Sequence, residues 1–532
     1  MYKIIRTKAY KDQKPGTSGL RKKVKAFMQP NYLENFVQSI FDSLELGEDF
    51  SLVLGGDGRY YNDIAIQKIL KIASANSCKK IIVGQNGLLS TPALSNLIRI
   101  NKASGGIILS ASHNPGGLEH DFGIKYNIET GSAAPSTLTE KIFINSQNIA
   151  EYKISQLADI DLAQLGIKQL GDMEVHIIDP VNDYAKLMEQ IFDFDIIRDA
   201  IKNGIKFKFN AMNAVTGPYA IEIFNKRLGV PKQYIENAKP KEDFGNLHPD
   251  PLPENLQSFF DDFIGKNASF DIGAACDGDG DRNLIIGYDQ FVTPADSLAV
   301  LLEYSNLISY YKNRIYGVAR SLPTGRAADA VAAKLNIKLY ETPTGWKYFG
   351  NLLDAEKITL CGEESFGTSS FHIREKDGIW AILFWLNIMA KTKKSVKQLL
   401  VEHWCNYGRC YACRYDFENL DIDMAQALII NLKRSLPNLL DNPKIKIATE
   451  FEYHDPVDNS NSKEHGIKIV LDNGARIIYR LSGTGTVDAT LRIYIDIIEK
   501  NITHNAQEIL KPFLNLASKL AKLHQMLPTR IV

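Results

Sequence analysis

The chain has 532 residues with 62 basic and 62 acidic side chains, a formal net charge of zero. That balance gives no electrostatic case for a nucleic-acid or anionic-membrane partner, so any bound anion must be held by local groups. The length exceeds one core, and domains of roughly 100 to 200 residues predict three or four of them.

Residues 1–6 lack the long apolar run of a secretory signal, and the longest apolar run, 379–390, is broken by Asn387 and too short to span a bilayer. A cytoplasmic protein with a core helix at 379–390 is expected. Six cysteines in so long a chain fit a reducing compartment better than a disulfide framework. Cys405, Cys410 and Cys413 have the C-x4-C-x2-C spacing of plant-type iron–sulfur ligands. With no downstream fourth cysteine and no small-residue loop around them, incidental thiols is the stronger reading.

Strand-like apolar runs alternate with helical patterns through most of the chain, which predicts α/β layering. In order, 51–54 runs into Gly55-Gly56-Asp57-Gly58-Arg59, and 80–83 into Gly84-Gln85-Asn86-Gly87. The run 105–109 leads to Ser110-Ala111-Ser112-His113-Asn114-Pro115-Gly116-Gly117, and 270–276 to Asp277-Gly278-Asp279-Gly280-Asp281. Next, 357–361 leads to Gly362-Glu363-Glu364-Ser365, and 476–480 to Ser482-Gly483-Thr484-Gly485-Thr486. Loops are expected at 131–137, 231–255 and 453–466. No short-period repeat is visible, which argues against a solenoid. Boundaries near 178, 302 and 393 give domains 1–178, 179–302, 303–393 and 394–532, each holding one major loop.

Ser112 follows a buried strand on a loop that Pro115 and two glycines keep from turning helical, which predicts an exposed hydroxyl able to carry a phosphate. Asp277, Asp279 and Asp281 alternate with glycines that let three carboxylates fold toward one point, a site for a hard divalent cation such as magnesium. An EF-hand is excluded, since its sixth and twelfth positions fall on Arg282 and Tyr288. A solvated acidic turn is the bland alternative, disfavoured because close like charges need a cation. Arg282 can pair with one carboxylate or with a substrate phosphate.

Ser482-Gly483-Thr484-Gly485-Thr486, flanked by Arg480 and Arg492, combines backbone N–H groups, hydroxyls and guanidinium donors in a phosphate cradle. It lacks the P-loop lysine and spacing, so a nucleotide is not implied, and a structural turn of small residues is the alternative. Glu363 and Ser365 suit sugar hydroxyls, and Lys376 can exchange a proton when its pKa is lowered, although surface salt-bridging is the usual fate of a single lysine. Thr17-Ser18-Gly19-Leu20-Arg21 and Thr344-Gly345-Trp346-Lys347 are weaker signals that ordinary loops also produce. His113 either carries a proton or orders the Ser112 loop.

Taken together these motifs resemble the α-D-phosphohexomutases over nearly the whole chain. The anchors are Lys14-Pro15-Gly16-Thr17-Ser18-Gly19-Leu20-Arg21, the Ser112 loop with Asp121-Phe122-Gly123-Ile124-Lys125, the Asp277 loop, Glu341-Thr342-Pro343-Thr344-Gly345-Trp346-Lys347, and the loops at 362–367 and 480–486. The resemblance implies four domains around a deep cleft, three related mixed α/β units and a smaller α+β C-terminal domain. It implies that Ser112 is a phosphoserine that completes an Mg2+ site with Asp277, Asp279 and Asp281. Lys376 and His113 become proton-transfer candidates, while Lys125, Arg21 and Arg282 support the reacting phosphate. Substrate contacts are implied at Thr17, Thr344, Gly345, Glu363, Ser365, Arg480, Ser482, Gly483, Thr484, Gly485, Thr486 and Arg492.

The implied partners are small-molecule sugar phosphates, handled by a monomer or weak oligomer. The implied reaction interconverts glucose 1-phosphate and glucose 6-phosphate through glucose 1,6-bisphosphate, which also acts as activator. Glu363-Glu364-Ser365-Phe366-Gly367 matches the glucose form of the sugar loop rather than the mannose form. Asn210-Ala211-Met212-Asn213-Ala214 departs from the family, where an aspartate and a His-Gly pair are usual. The alternatives are a mutase that also accepts mannose phosphates and a non-catalytic scaffold relative, whose mark would be decay of the Ser112 or Asp277 loop.

Overall fold

Three of the sheets repeat one wiring. In the computed structural model, which describes all residues except 1, 17, 46, 48, 267, 483–488, 524 and 525, the first sheet centres on Ser51–Gly56. Lys80–Leu88 lies parallel on one side, Gly105–Leu109 parallel on the other, and Asp121–Ile128 antiparallel beyond that. The second sheet places Phe207–Asn210 between parallel Ile235–Glu236 and Ile272–Cys276, with Asn283–Gly287 antiparallel beyond. The third places Gly317–Ser321 between Lys338–Thr342 and Leu360–Glu363, with Gly367–Ser370 antiparallel beyond. Parallel neighbours need long crossovers, so only the antiparallel third-to-fourth junction is a direct loop at the end of the sheet. Each of those three junctions carries one of the motifs above: the Ser112 loop, the aspartate loop and the Glu363–Ser365 loop.

The fourth sheet is entirely antiparallel, in the order Ile445–Glu450, Ile467–Leu471, Arg476–Ser482, Ala489–Glu499, Arg409–Leu420, Arg530–Ile531. The helices Ile422–Leu439 and Ala506–Leu520 pack against it. The structure thus has three related α/β units and an α+β unit, and at 409–530 the last is no smaller than the second at 182–289 or the third at 294–407.

Side-chain alternation explains how the cores connect. On the first sheet Val53, Ile82 and Ile108 point to one face, while Leu52, Leu54, Ile81, Val83, Ile107 and Leu109 point to the other. The second group closes a core private to the first unit. The first group joins a core shared with the second and third units, which runs through Phe209, Ile272, Ile285 and Val318. The apolar run at 379–390 forms the helix Gly378–Thr392, buried from Gly378 to Ala390, at the centre of that shared core. Its N-cap Asp377 accepts from the Trp380 N–H at 3.1 Å, from the Tyr184 hydroxyl and from His372 Nε2 at 3.0 Å. Among the described residues no helix is long and apolar enough to cross a membrane.

Two local expectations change, and the reading of the cysteine trio as incidental thiols holds. Gly84-Gln85-Asn86-Gly87 is not a loop after a strand but lies within Lys80–Leu88. The register slips between Leu54 and Gly56, and Asn86 and Gly87, at φ 56° and 71°, absorb the extra residues as a bulge. Within 453–466 a small hairpin pairs Tyr453–His454 with Asn461–Ser462. Cys410 and Cys413 share the strand Arg409–Leu420, where a spacing of three puts them on opposite faces, and Cys405 is exposed on the helix Val396–Tyr407. The trio therefore does not converge on one ion.

The last unit is fastened to the third by buried ions. Glu341 lies 2.8 Å from Arg320, 2.9 Å from Arg476 and 2.5 Å from Lys468, while Asp496 pairs with Arg476 and Arg326 at 2.6 Å each. Burial raises the Glu341 pKa, but the three cations outweigh it and hold it at about 2. A folded-state pKa below the unfolded value gives stability that is present above the unfolded pKa and lost as pH falls through the folded one. Stability of about 3 kcal/mol should therefore disappear between about pH 4.5 and pH 2, the window between the ordinary glutamate value and the depressed one. Acid denaturation followed by tryptophan fluorescence should show a shallower loss in that window for Glu341→Gln than for the parent chain.

Candidate functional site

The three junction loops converge on one buried point. Ser112 lies three residues beyond the end of Gly105–Leu109, and its backbone sits in the left-handed region at φ 52°. It is 3% exposed rather than an open hydroxyl, because the aspartate loop of the second unit lies directly over it. Its Oγ donates to Asp277 Oδ2 at 2.7 Å, and its N–H donates to Ser110 Oγ at 2.7 Å. Gly278 permits that approach: a Cβ there would fall 2.5 Å from the Ser112 carbonyl oxygen.

Asp277, Asp279 and Asp281 are all buried, with one carboxylate oxygen of each within 4.8 Å of the others. Asp277 Oδ1 accepts from the backbone N–H groups of Asp281 and Arg282 at 3.0 Å each, so the first aspartate folds the turn that holds the other two. Asp279 Oδ2 accepts from the Thr91 hydroxyl at 2.7 Å, and Asp281 Oδ2 pairs with Lys376 Nζ at 3.0 Å. Asp279 Oδ1 and Asp281 Oδ1 are buried without a hydrogen-bond partner among the described residues. Burial, Asp281 and Asp279 push the Asp277 carboxyl well above the usual range, and burial and Asp279 raise Asp281. At Asp279 burial is outweighed by Lys125, Thr91 and Lys376, which keep its pKa low. Buried, mutually repelling carboxylates with two free oxygens fit a bound divalent cation.

Around this floor the cations come from every unit. Arg21 on Leu20–Lys23 pairs across the sheet with Gly123, and its Nε has no hydrogen-bond partner among the described residues. Lys125 on the neighbouring strand Asp121–Ile128 lies 2.9 Å from Glu375. Arg282 is held by Asp250 at 2.9 Å and reaches Asp277 at 3.8 Å. Lys376 departs from the lowered pKa considered above. Burial opposes its charge, but Asp281 and Glu363 outweigh burial and raise its pKa, so it stays an ammonium. Gly367 gives it room, since a Cβ there would fall 2.2 Å from Lys376 Cδ. His113 goes the other way. Burial, then Arg282 and Arg21, hold its pKa well below the usual imidazole value, so the ring is neutral at pH 7.

A cavity of about 250 Å³ lies above the aspartates, lined from all four units. Arg21 and Lys125 face it from the first, Asp279, Asp281 and Arg282 from the second, Thr344, Gly345, Glu363, Ser365 and Lys376 from the third, and Arg480, Ser482 and Arg492 from the last. Glu363 is anchored there by the Gly345 N–H at 3.0 Å. Arg480 and Arg492 sit directly opposite each other on adjacent antiparallel strands. Thr17, Gly483, Thr484, Gly485 and Thr486 lie outside the described residues.

Several members have no local signal in the sequence. Thr91 opens the helix Thr91–Asn101, Asp250 sits in a proline-rich loop, and Glu375 binds both Lys125 and Asn127 across some 250 residues. At Asn210-Ala211-Met212-Asn213-Ala214 the loop is well knit without the usual residues: Asn210 Oδ1 accepts from Met212 N–H at 2.8 Å, and Asn213 N–H bonds the Asn237 carbonyl at 2.9 Å.

Comparison with known proteins agrees along the chain. Models of the phosphoglucomutase/phosphomannomutase alpha/beta/alpha domains I, II and III match residues 12–153, 182–289 and 294–407, and that of the Phosphoglucomutase-1 C-terminal domain matches 409–530. A phosphoglucomutase of Rhizobium radiobacter is 53% identical, over 97% of this chain and 96% of its own. Phosphoglucomutase 1 of Drosophila melanogaster is 47% identical over 98% and 97%. The crystal structure of the Paramecium exocytosis-sensitive phosphoprotein pp63/parafusin, a phosphoglucomutase, in its open form superposes with a TM-score of 0.93 at 45% identity, covering 100% of this chain and 99% of that one. A putative phosphomannomutase from Thermus thermophilus shares the fold, with a TM-score of 0.68 at 19% identity over 96% of this chain and 100% of its own. The chain belongs to the phosphoglucomutase/phosphomannomutase family, that is, the α-D-phosphohexomutases.

Proposed function

We propose that the chain is a phosphoglucomutase, interconverting glucose 1-phosphate and glucose 6-phosphate by way of a phosphoserine at Ser112 and a glucose 1,6-bisphosphate intermediate held in one cleft. The observation that carries this reading is the Ser112 Oγ, 2.7 Å from the first of three buried aspartates, beneath a cavity walled by cations from all four units.

One bound sugar cannot present O1 and O6 to the same acceptor, so the transferred group must be lent by the chain and the sugar must turn between two transfers. In the first, the phosphoryl group leaves Ser112 Oγ for the free hydroxyl oxygen of the monophosphate; that hydroxyl gives up its proton and Ser112 Oγ takes one up. The bisphosphate then turns, its other phosphoryl group passes to Ser112 Oγ, which gives up its proton, and the sugar oxygen set free takes one up. His113, beside Ser112 with Nδ1 unpartnered among the described residues, and Lys376, paired with Asp281, are the candidates to carry these protons. Arg21, Lys125 and Arg282 oppose the charge on the transferring group, while Arg480, Arg492 and Ser482 hold the phosphate that is not reacting. Thr344, Gly345, Glu363 and Ser365 contact the sugar hydroxyls, with Glu363 fixed by its bond to Gly345. Asp277, Asp279 and Asp281, with a phosphate oxygen on Ser112, would hold Mg2+, which when bound supplies neutralisation of charge on the transferring phosphoryl group.

The intact serine and aspartate loops weigh against a scaffold role without catalysis. A coupled assay with magnesium and glucose 1,6-bisphosphate should convert glucose 1-phosphate to glucose 6-phosphate, and no product under those conditions would sink the proposal. Mannose 1-phosphate should give a much lower kcat/KM; equal values would mark a dual-specificity mutase. Ser112→Ala should reduce turnover to background with the circular dichroism unchanged, and residual bisphosphate-dependent turnover would mean the phosphate carrier is another residue.

Metal binding is readable without turnover. A ligand at about 100 times its Kd stabilises the fold by about 2.7 kcal/mol. Adding magnesium to chelator-treated protein should therefore raise the Tm by several degrees, and Asp279→Asn should abolish that rise. A parent chain indifferent to the ion would remove the metal from the proposal.

A further inference from the structure

We propose that Arg59 positions Ser112 for phosphoryl transfer, acting wholly through the backbone of the Ser112 loop. This rests on the reading of Ser112 as the phosphate carrier. Arg59 is 1% exposed and does not line the cavity. Its Nη2 donates to the Ser112 carbonyl at 2.7 Å, and its Nη1 to the carbonyls of Asp121 at 2.9 Å and Asn114 at 3.3 Å. Three carbonyls spanning the whole loop are thus gathered on one rigid planar group.

The group itself is fixed from behind. Arg59 Nε lies 3.0 and 2.9 Å from the two oxygens of Asp57, and Nη2 lies 2.9 Å from Asp57 Oδ2. The Phe244 ring stacks at 5.2 Å from the guanidinium carbon. Asp57 also accepts from Ser110 Oγ at 2.6 Å, and Ser110 Oγ accepts from the Ser112 N–H at 2.7 Å. The Asp57–Arg59 pair therefore holds the serine at both its N–H and its C=O.

Ser112 needs that grip. A left-handed conformation at φ 52° is unfavourable by about 1 kcal/mol for a residue other than glycine and persists only where its surroundings impose it. Held there, the side chain leaves the backbone toward Asp277 rather than into the strand layer. Gly58, at φ 81°, makes the arrangement possible by turning the chain so that Asp57 and Arg59 meet, and a Cβ at that position would fall 2.6 Å from Leu88.

The test compares the parent enzyme with Arg59→Lys, which keeps the charge but cannot bridge three carbonyls and a carboxylate. Misplacement of about 1 Å is expected to lower kcat about 100-fold. KM for glucose 1-phosphate should stay within about threefold, because the substrate contacts lie elsewhere. Transfer from glucose 1,6-bisphosphate to Ser112, followed by quench and intact mass, should slow in parallel with kcat. Unchanged kcat, or a loss confined to KM, overturns the inference. If Arg59→Lys does not fold by circular dichroism, Asp57→Asn, which loosens the guanidinium from behind and does not line the cavity, serves in its place: a fall in kcat of about tenfold at constant KM supports the inference, and none overturns it. A parent enzyme that takes no phosphoryl group on Ser112 overturns the function proposed above instead.

Discussion

Everything at this site answers to three carboxylates placed within 4.8 Å of one another beneath the surface. At a separation of about 4 Å and an effective dielectric near 20, each like-charged pair costs about 4 kcal/mol. The compensation is collected from more than one unit. Lys376 comes from the third, Lys125 and Arg21 from the first, and Thr91 adds a hydroxyl from a helix of the first. The need to neutralise one acidic turn thus brings the units together at the point where a phosphoryl group would be transferred.

The repeated wiring makes that convergence possible. Because each sheet leaves the same strand-to-strand junction free, three copies of one topology supply three different loops from the equivalent place: the Ser112 loop, the aspartate loop and the Glu363–Ser365 loop. The shared core then fixes their relative positions. Gly378–Thr392 packs against strands of the second and third units, and its N-cap Asp377 follows Lys376 directly, so the lysine is referenced to both. Gly378 N–H bonding the Gly280 carbonyl at 3.1 Å ties that helix start to the aspartate loop.

Much of this is legible in the sequence because the chemistry is local. The strand at 105–109 and the Asp-Gly alternation at 277–281 are complete within a few residues, and so are readable as a strand end and a cluster of converging carboxylates. The order of motifs makes the four-unit architecture legible through family resemblance. What the residues do not disclose is set by partners far away. Ser112 reads as exposed because nothing nearby shows that Gly278 packs over it. Lys376 reads as a candidate for a lowered pKa because Asp281 and Glu363 are distant in the chain. The loop at 55–59 reads as punctuation, since the carbonyls its arginine gathers lie more than 50 residues on. The Gly84–Gly87 tetrad misleads for a related reason: glycine-rich composition does not distinguish a turn from a bulge until the register with Ser51–Gly56 is known.

The facing pair Arg480 and Arg492 has one more consequence. Like charges directly opposite on antiparallel strands repel, and Asp416, 3.7 Å from Arg492, offsets this at one end only. The C-terminal sheet is thus left with a built-in electrostatic tension that a dianion between the two guanidinium groups relieves. A phosphorylated ligand seated between them would draw part of its affinity from release of that repulsion. An uncharged ligand would have no access to that contribution.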